Sequence, residues 1–142
     1  IKFIERESTA GRMQLKLRAL PQKRALLHGH CHQKAFGAMP AVTAVLSRIP
    51  ELTVDTIQTS CCGMAGSFGL ESKHYTVSMR MAEAALLPAI REAGDDTLIV
   101  ADGTSCRHQI HDGAKREGLH VARVLQRALS APDTIRAAPP PA

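Results

Sequence analysis

Residues 59–69 read Thr59-Ser60-Cys61-Cys62-Gly63-Met64-Ala65-Gly66-Ser67-Phe68-Gly69, and this stretch sets the expected fold. Two adjacent cysteines close an apolar, β-branched run, and a glycine-rich segment follows at once. Neighbouring side chains on a strand point to opposite faces. Both thiols can meet one ligand only if the chain leaves the strand there, and Gly63, Gly66 and Gly69 permit that bend. The other two cysteines stand in similar places. Cys31 follows Leu26-Leu27-His28-Gly29-His30, and Cys106 follows Ile99-Val100-Ala101-Asp102-Gly103-Thr104-Ser105. Thr-Ser-Cys occurs twice, at 59–61 and 104–106. Every cysteine of the chain thus follows an expected strand.

Working outward, short strands alternate with helical patterns. Ile1 to Ala10 carries Phe3, Ile4 and Glu7 at helical spacing, with Gly11 as a stop. Leu15, Leu17 and Ala19 alternate with polar residues, which predicts an edge strand. Arg24 to His30 is a short apolar strand ended by glycine. Phe36, Met39, Val42, Leu46 and Ile49 predict a buried helix face, with Pro40 starting or kinking the helix and Pro50 closing it. Leu52 to Thr59 is a second strand, rich in β-branched residues.

Glu71 to Ala93 predicts a long helix with two apolar rows. Tyr75, Met79, Ala82, Leu86 and Ile90 form one, and Val77, Met81 and Ala85 the other, which suggests burial on more than one side. Pro88 should kink it. Thr97 to Ala101 is a third strand, and helices are expected at Arg107–Ala114 and Leu119–Leu129. From Ser130 the chain is proline-rich and reads as a disordered tail. The architecture expected is three-layer α/β, with a mostly parallel sheet and helices on both faces. One domain is expected over residues 1–129. Ligands of such sheets bind outside the carboxyl ends of the strands, where the cysteines lie.

Composition narrows the function. The 142 residues carry a formal charge of +5, with 44% apolar, 22% charged and 3% aromatic residues. Lysine and arginine are scattered and tryptophan is absent, so the stacking platforms of single-strand nucleic-acid binders are missing and no nucleic-acid partner is expected. No apolar run approaches the ~20 residues of a membrane span. The chain begins Ile1-Lys2-Phe3, which reads as a fragment of a longer protein. Four cysteines are too few for a small secreted disulfide scaffold. In a reducing cytoplasm such cysteines bind metal or do redox chemistry.

Thiolates hold soft or borderline metals and iron–sulfur clusters. Four converging thiolates suit a [4Fe–4S] cluster, a [2Fe–2S] cluster or tetrahedral zinc. No Cys-x-x-Cys exists, so spacing alone leaves metal, buried structural cysteines and a redox disulfide all open. No Gly-x-Ser-x-Gly elbow is present. Gly63-x-x-Gly66-x-x-Gly69 has the wrong spacing for a dinucleotide fingerprint, so no FAD or NAD pocket is expected within this stretch. His28, His30 and His32 flank Cys31 and would share one strand face, as ligands, proton carriers, donors to sulfur or a hydrogen-bonded structural cluster. His30 and His32 are the expected site members. Arg107 and His108 follow Cys106 and could offset cluster charge or serve as an ion pair or cap. Asp102 reads as a turn residue, and Met64, Met79 and Met81 as core filler.

His30-Cys31-His32, the Cys61–Gly69 block and Asp102-Gly103-Thr104-Ser105-Cys106-Arg107-His108-Gln109 resemble the cysteine-rich CCG domain. That domain is shared by the cysteine-rich subunit of heterodisulfide reductase, the iron–sulfur subunits of glycolate oxidase and anaerobic glycerol-3-phosphate dehydrogenase, and C-terminal regions of FAD-linked oxidases. The wording is most similar to the last group, which resembles D-lactate and D-2-hydroxyglutarate dehydrogenases. The resemblance covers roughly residues 3–129. It implies a lone cysteine, a Cys-Cys pair and a terminal Cys-x-x-Cys. Cys31, Cys61, Cys62 and Cys106 match four of those positions, and Gly103 stands at the fifth.

The resemblance implies an electron-transfer domain of a larger FAD-linked oxidoreductase acting on a 2-hydroxy acid, this stretch itself not being catalytic. It implies an iron–sulfur cluster, expected as [4Fe–4S], on the four cysteines, with zinc as the alternative. Gly63 and Gly66 would offer N–H groups to sulfur. FAD and further iron–sulfur centres would lie in other domains of the same chain. Zinc would make it a structural or docking module, and paired thiols a thiol–disulfide one. The cytoplasm, or its face of the membrane, is the expected location.

Overall fold

A computed structural model describes residues 1–129. Four parallel strands form the sheet: β1 (Arg24–His28), β2 (Thr53–Thr56), β3 (Thr97–Ala101) and β4 (Gly118–Leu119). Their order across the sheet is β2-β1-β3-β4. From β1 the chain steps one way to β2, then crosses back to lay β3 on the other side. That reversal leaves a crevice at the carboxyl ends of the strands, where ligands of open parallel sheets bind. The tail expected from Ser130 lies outside the described residues.

Side chains alternate across the sheet and divide the core in two. Ala25 and Leu27 of β1, with Leu98 and Val100 of β3, face one way. They pack against α3 (Met39–Leu46) and α7 (Val121–Ala128), with Ile4 of α1 (Lys2–Thr9) at the margin. Leu26 and Ile99 face the other way, against Leu86 and Ile90 of α5 (Leu86–Glu92) and Ile110 of α6 (Thr104–Ala114). Cys62 and Cys106 belong to this second core. Each fully buried leucine or isoleucine contributes about 1.5–3 kcal/mol of transfer free energy, so both faces hold the strand ends in place. The three-layer α/β architecture is as expected, and among the described strands every pairing is parallel.

Several local expectations are corrected. Residues 15–19 form no strand of the sheet: Leu17 makes one antiparallel bridge to Leu129. β1 and β2 end sooner than their apolar runs suggest. The first helical pattern is broken, with α2 (Cys31–Ala35) ending at Phe36 and Gly37 at φ +57 before α3 begins. Phe36 is 74% exposed rather than buried. Pro40 does sit in the first turn of α3, where its missing N–H costs nothing.

The long helix is two helices, α4 (Tyr75–Glu83) and α5, entered through short 3-10 turns at Phe68–Leu70 and Ser72–His74. The break falls at Ala84–Ala85, one turn before Pro88. A proline ring clashes with the carbonyl four residues earlier, here Ala84, and Ala85 (φ −160, ψ −38) turns the chain away from that clash. The second apolar row of α4 is uncovered, since Val77 and Met81, like Tyr75 beside them, are exposed. Met81 is therefore not core filler, whereas Met64 is buried. The last helix starts at Val121, because Gly118 and Leu119 pair with Ile99 and Val100 as β4. Among the described residues no helix is long and apolar enough to cross a membrane.

Candidate metal centre

The four cysteines meet where β1, β2 and β3 end. Cys31 is the first residue of α2, and Cys106 lies in the first turn of α6, further into its helix than the sequence suggested. Cys61 and Cys62 sit in the loop after β2. All four are free thiols. Cys31 is exposed, Cys61 half-buried, and Cys62 and Cys106 buried. A pocket of about 320 Å³ opens over Cys31, Cys61 and Cys62, lined also by His30, His32, Gly66 and Ser105, the residue before Cys106.

The loop keeps this shape through its glycines. Gly63 has φ +89, and a Cβ there would lie 2.2 Å from the Ser78 carbonyl oxygen on α4. That close approach lets the Gly63 N–H turn back and donate to Cys61 Sγ at 3.3 Å. Gly66, at φ +68, borders the pocket and meets nothing within 4 Å. Behind the loop, Gln109 Nε2 on α6 donates to Ser78 Oγ at 3.1 Å and to its carbonyl at 3.3 Å. This buried tie joins α4 to α6 beneath Cys62.

Lys34 binds the loop from the other side. Its Nζ donates to the carbonyl of Thr59, to the carbonyl of Ser60 at 3.0 Å and to Thr59 Oγ1 at 3.3 Å. The first turn of α2 is fixed by a reciprocal cap. His30 Nδ1 accepts from the His32 N–H at 3.3 Å, and Gln33 Oε1 accepts from the His30 N–H at 3.0 Å. Gln33 Nε2 also donates to Asp102 Oδ2, whose other oxygen accepts from the Val121 N–H at 2.9 Å. Asp102 is thus a tie between α2 and α7 at the end of β3, more than a turn residue.

The thiols influence one another. Cys62 is held well below its usual range, first by the hydrogen bond from Cys106, with His28 and the Met64 N–H reinforcing the effect against burial. Cys106 is pushed far up by the same hydrogen bond, by burial and by the neighbouring cysteines. Within the buried pair Cys106 is therefore the donor and Cys62 the acceptor. Burial also raises Cys61, against the opposing Gly63 N–H, with Cys31 and Cys62 adding to the rise.

The flanking residues divide. His30 and His32 line the pocket, with ring centroids 5.2 Å apart. Arg107 turns away from the sulfurs: its guanidinium caps the carbonyls of Ala101 (2.9 Å) and Asp102 (2.7 Å) and the Thr104 hydroxyl (3.2 Å). His108 is exposed on α6. Gly103 is at the site, since a Cβ there would lie 2.5 Å from His30 Cδ2 and 2.9 Å from Cys106 Sγ.

His28 belongs to the site as well, although the sequence singles out His30 and His32. It is fully buried, and one of its ring nitrogens lies with the sulfurs of Cys62 and Cys106 in a group whose atoms are all within 4.8 Å of one another. The available signal was parity, because His28 stands two residues beyond Leu26 and so faces the core that holds both cysteines. Lys34 carried no such signal.

A family model described as CCG, cysteine-rich domain, matches residues 25–111. The chain belongs to the cysteine-rich CCG domain family. The match spans β1 to α6 and includes all four cysteines. Outside the family model, the chain is 32% identical over 116 residues to a subunit of the anaerobic glycerol-3-phosphate dehydrogenase of Escherichia coli, covering 82% of this chain and 28% of that protein. It is 29% identical over 102 residues to D-2-hydroxyglutarate dehydrogenase of Escherichia coli, covering 71% of this chain and 10% of that protein. The Pseudomonas putida D-2-hydroxyglutarate dehydrogenase is 30% identical over 103 residues, with 70% and 10% covered. The CCG chain thus spans between a tenth and about a quarter of the length of these relatives. No solved structure matches it.

Proposed function

We propose that this chain is an electron-transfer module of a larger FAD-linked dehydrogenase, holding an iron–sulfur cluster on Cys31, Cys61, Cys62 and Cys106. The observation that carries the reading is the convergence of four free thiols from three separate strand ends. Residues far apart in sequence meet in one cluster, with a pocket open above three of them, a pattern that buried structural cysteines do not need. The donor set is soft, as clusters and zinc require. A bound cluster would supply a one-electron carrier, its potential set by charge, hydrogen bonds to sulfur and exposure. The chain's own part is to hold thiolates and tune them. Gly63 N–H donates to Cys61, Cys106 and His28 favour the thiolate of Cys62, and the pocket leaves one side open.

The relatives are named as dehydrogenases, one acting on glycerol 3-phosphate and the others on D-2-hydroxyglutarate. A 2-hydroxy acid such as D-lactate, glycolate or D-2-hydroxyglutarate is the substrate class proposed for the whole protein. A flavin and further iron–sulfur centres in other domains would supply the electrons. Residues 1–129 are read as one such domain, working in the cytoplasm or at its face of the membrane.

The test counts iron and sulfide in the intact protein purified without oxygen, beside a Cys62→Ser variant. The cubane reading expects the variant to lose about four irons per chain. Equal iron in both proteins rejects it. A structural zinc is the second reading, favoured by the tight grouping of His28, Cys62 and Cys106. One zinc per chain, with iron unchanged by the substitution, would select it.

A further inference from the structure

We infer that His28 is a direct ligand of the metal centre, through Nε2, alongside Cys62 and Cys106. The inference rests on the reading of the cysteines as metal-binding, in its single-zinc form, and adds a donor of different chemistry to them. Two independent observations carry it. The first is a buried polar atom facing sulfur: His28 is fully buried, its Nε2 makes no well-formed hydrogen bond, and the ring acts on the Cys62 thiol beside it. A buried polar group without a partner loses its hydration with no compensating bond. The second is placement. One ring nitrogen and both buried sulfurs lie within 4.8 Å of one another. Donors on one tetrahedral zinc would stand about 3.5–3.8 Å apart, given Zn–S and Zn–N bonds of about 2.3 and 2.0–2.1 Å. The three groups therefore need only a small contraction to share an ion.

The other ring nitrogen is already engaged. Nδ1 lies 3.1 Å from Thr59 Oγ1, which also accepts from Lys34 Nζ at 3.3 Å. A hydroxyl has two lone pairs, so Thr59 can accept from both Lys34 and a protonated Nδ1. In that tautomer the lone pair is on Nε2, the arrangement found in metal-ligating histidines whose second nitrogen is held by an outer partner. Lys34 and Thr59 act here as positioning residues. The His28–Thr59 contact joins the end of β1 to the loop that carries Cys61 and Cys62, and the Lys34–Thr59 bond ties α2 to the same loop. Cys31, His30 and His32 border the pocket above, and His28 closes the site from within the core.

The experiment uses the intact protein purified without oxygen. Metal content is measured, and X-ray absorption at the edge of the metal found reads its first shell. Three proteins are compared: wild type, His28→Asn and His28→Cys. Asparagine keeps a donor toward Thr59 and deletes Nε2, while cysteine offers sulfur in place of nitrogen. Thermal melts of the metal-free proteins show whether each variant folds. A nitrogen contribution in the wild type, lost with at least a tenfold fall in metal affinity in His28→Asn and replaced by sulfur in His28→Cys, supports the assignment. An all-sulfur shell in the wild type overturns it while leaving the cysteine reading intact, and that result stands even if both variants unfold. Unchanged affinity and spectrum in a folded His28→Asn overturns it in the same way. A wild type that binds neither iron nor zinc overturns both readings.

Discussion

Gly63 lies directly against the backbone of Ser78, so closely that a Cβ on it would come within 2.2 Å of the Ser78 carbonyl oxygen. The contact is with main chain, which cannot swing aside as a side-chain end can. Gly63 also has φ +89, a region costly for any residue with a Cβ. Gly63→Ala should therefore destabilise the metal-free protein by about 2 kcal/mol or more. Gly66→Ala is the matched control. Its φ is +68 but a Cβ would meet nothing within 4 Å, so only the backbone cost of about 1–2 kcal/mol applies. Urea denaturation of both variants checks the difference.

Lys34→Met keeps the aliphatic stem and removes the ammonium that holds the Thr59 and Ser60 carbonyls. A charge-assisted bond of this kind contributes about 1.5–3 kcal/mol. The loss should appear locally, as faster amide exchange across residues 59–63, with the core strands unaffected. Uniform protection in the variant would mean that the cysteine loop holds its shape without Lys34.

Gln109→Leu is close to isosteric and leaves Ser78 Oγ buried without its donor. A stability loss of about 1–3 kcal/mol is expected. Changing Ser78 to Ala in the same protein removes the stranded hydroxyl, so the double variant should recover part of that loss. A thermodynamic cycle over the four proteins measures the coupling.

The thiol pair gives a pH signature in the metal-free protein. Cys62 is lowered from its ordinary value of 9.0, first by the hydrogen bond from Cys106. Its contribution to stability is present above 9.0 and lost as pH falls through the lowered folded value. Cys106 is raised from 9.0, first by the same bond. Its contribution is present below 9.0 and lost as pH rises beyond it, because the unfolded chain ionises there and the folded one does not. Thiolate absorbance should show one of the two sulfurs ionised at neutral pH. Cys106→Ala should move that titration up toward 9.0, because the donor to Cys62 is gone.

Metal binding couples to folding where the ligands come from separate elements. The donors here sit on α2, the loop after β2, α6 and, with His28 as a ligand, the end of β1. Chelation should lower the melting temperature and speed exchange at those ends before it affects Ala25, Leu27 or Val100. Identical melts with and without chelator would detach the site from the fold.

Much of this was legible in residues alone. Leu26-Leu27 and Ile99-Val100 are runs too short for helices and too apolar for a half-solvated sheet, which points to buried parallel strands. Three such runs, each followed by cysteine, bring the thiols to one edge. What failed was local. Ala84 and Ala85 are strong helix formers, so nothing but Pro88 marked the break, and the chain turned one step ahead of it. Gly118 and Leu119 have no period of their own; β4 exists only because β3 is there to pair with. Phe36 kept the helical spacing although Gly37 ended the helix beneath it. His28 was set with His30 and His32 because the strand was drawn too long. With β1 ending at His28, the next two histidines pass to a cap and a helix, and parity assigns His28 alone to the inner core.

The contrast between Cys31 at the surface and Cys62 with Cys106 sealed beneath makes the site directional toward chemical attack. A dissolved alkylating reagent meets the outer sulfur first and reaches the inner two only when the sheet edge opens. The order in which the four thiols are labelled is therefore a clock for how often that edge breathes.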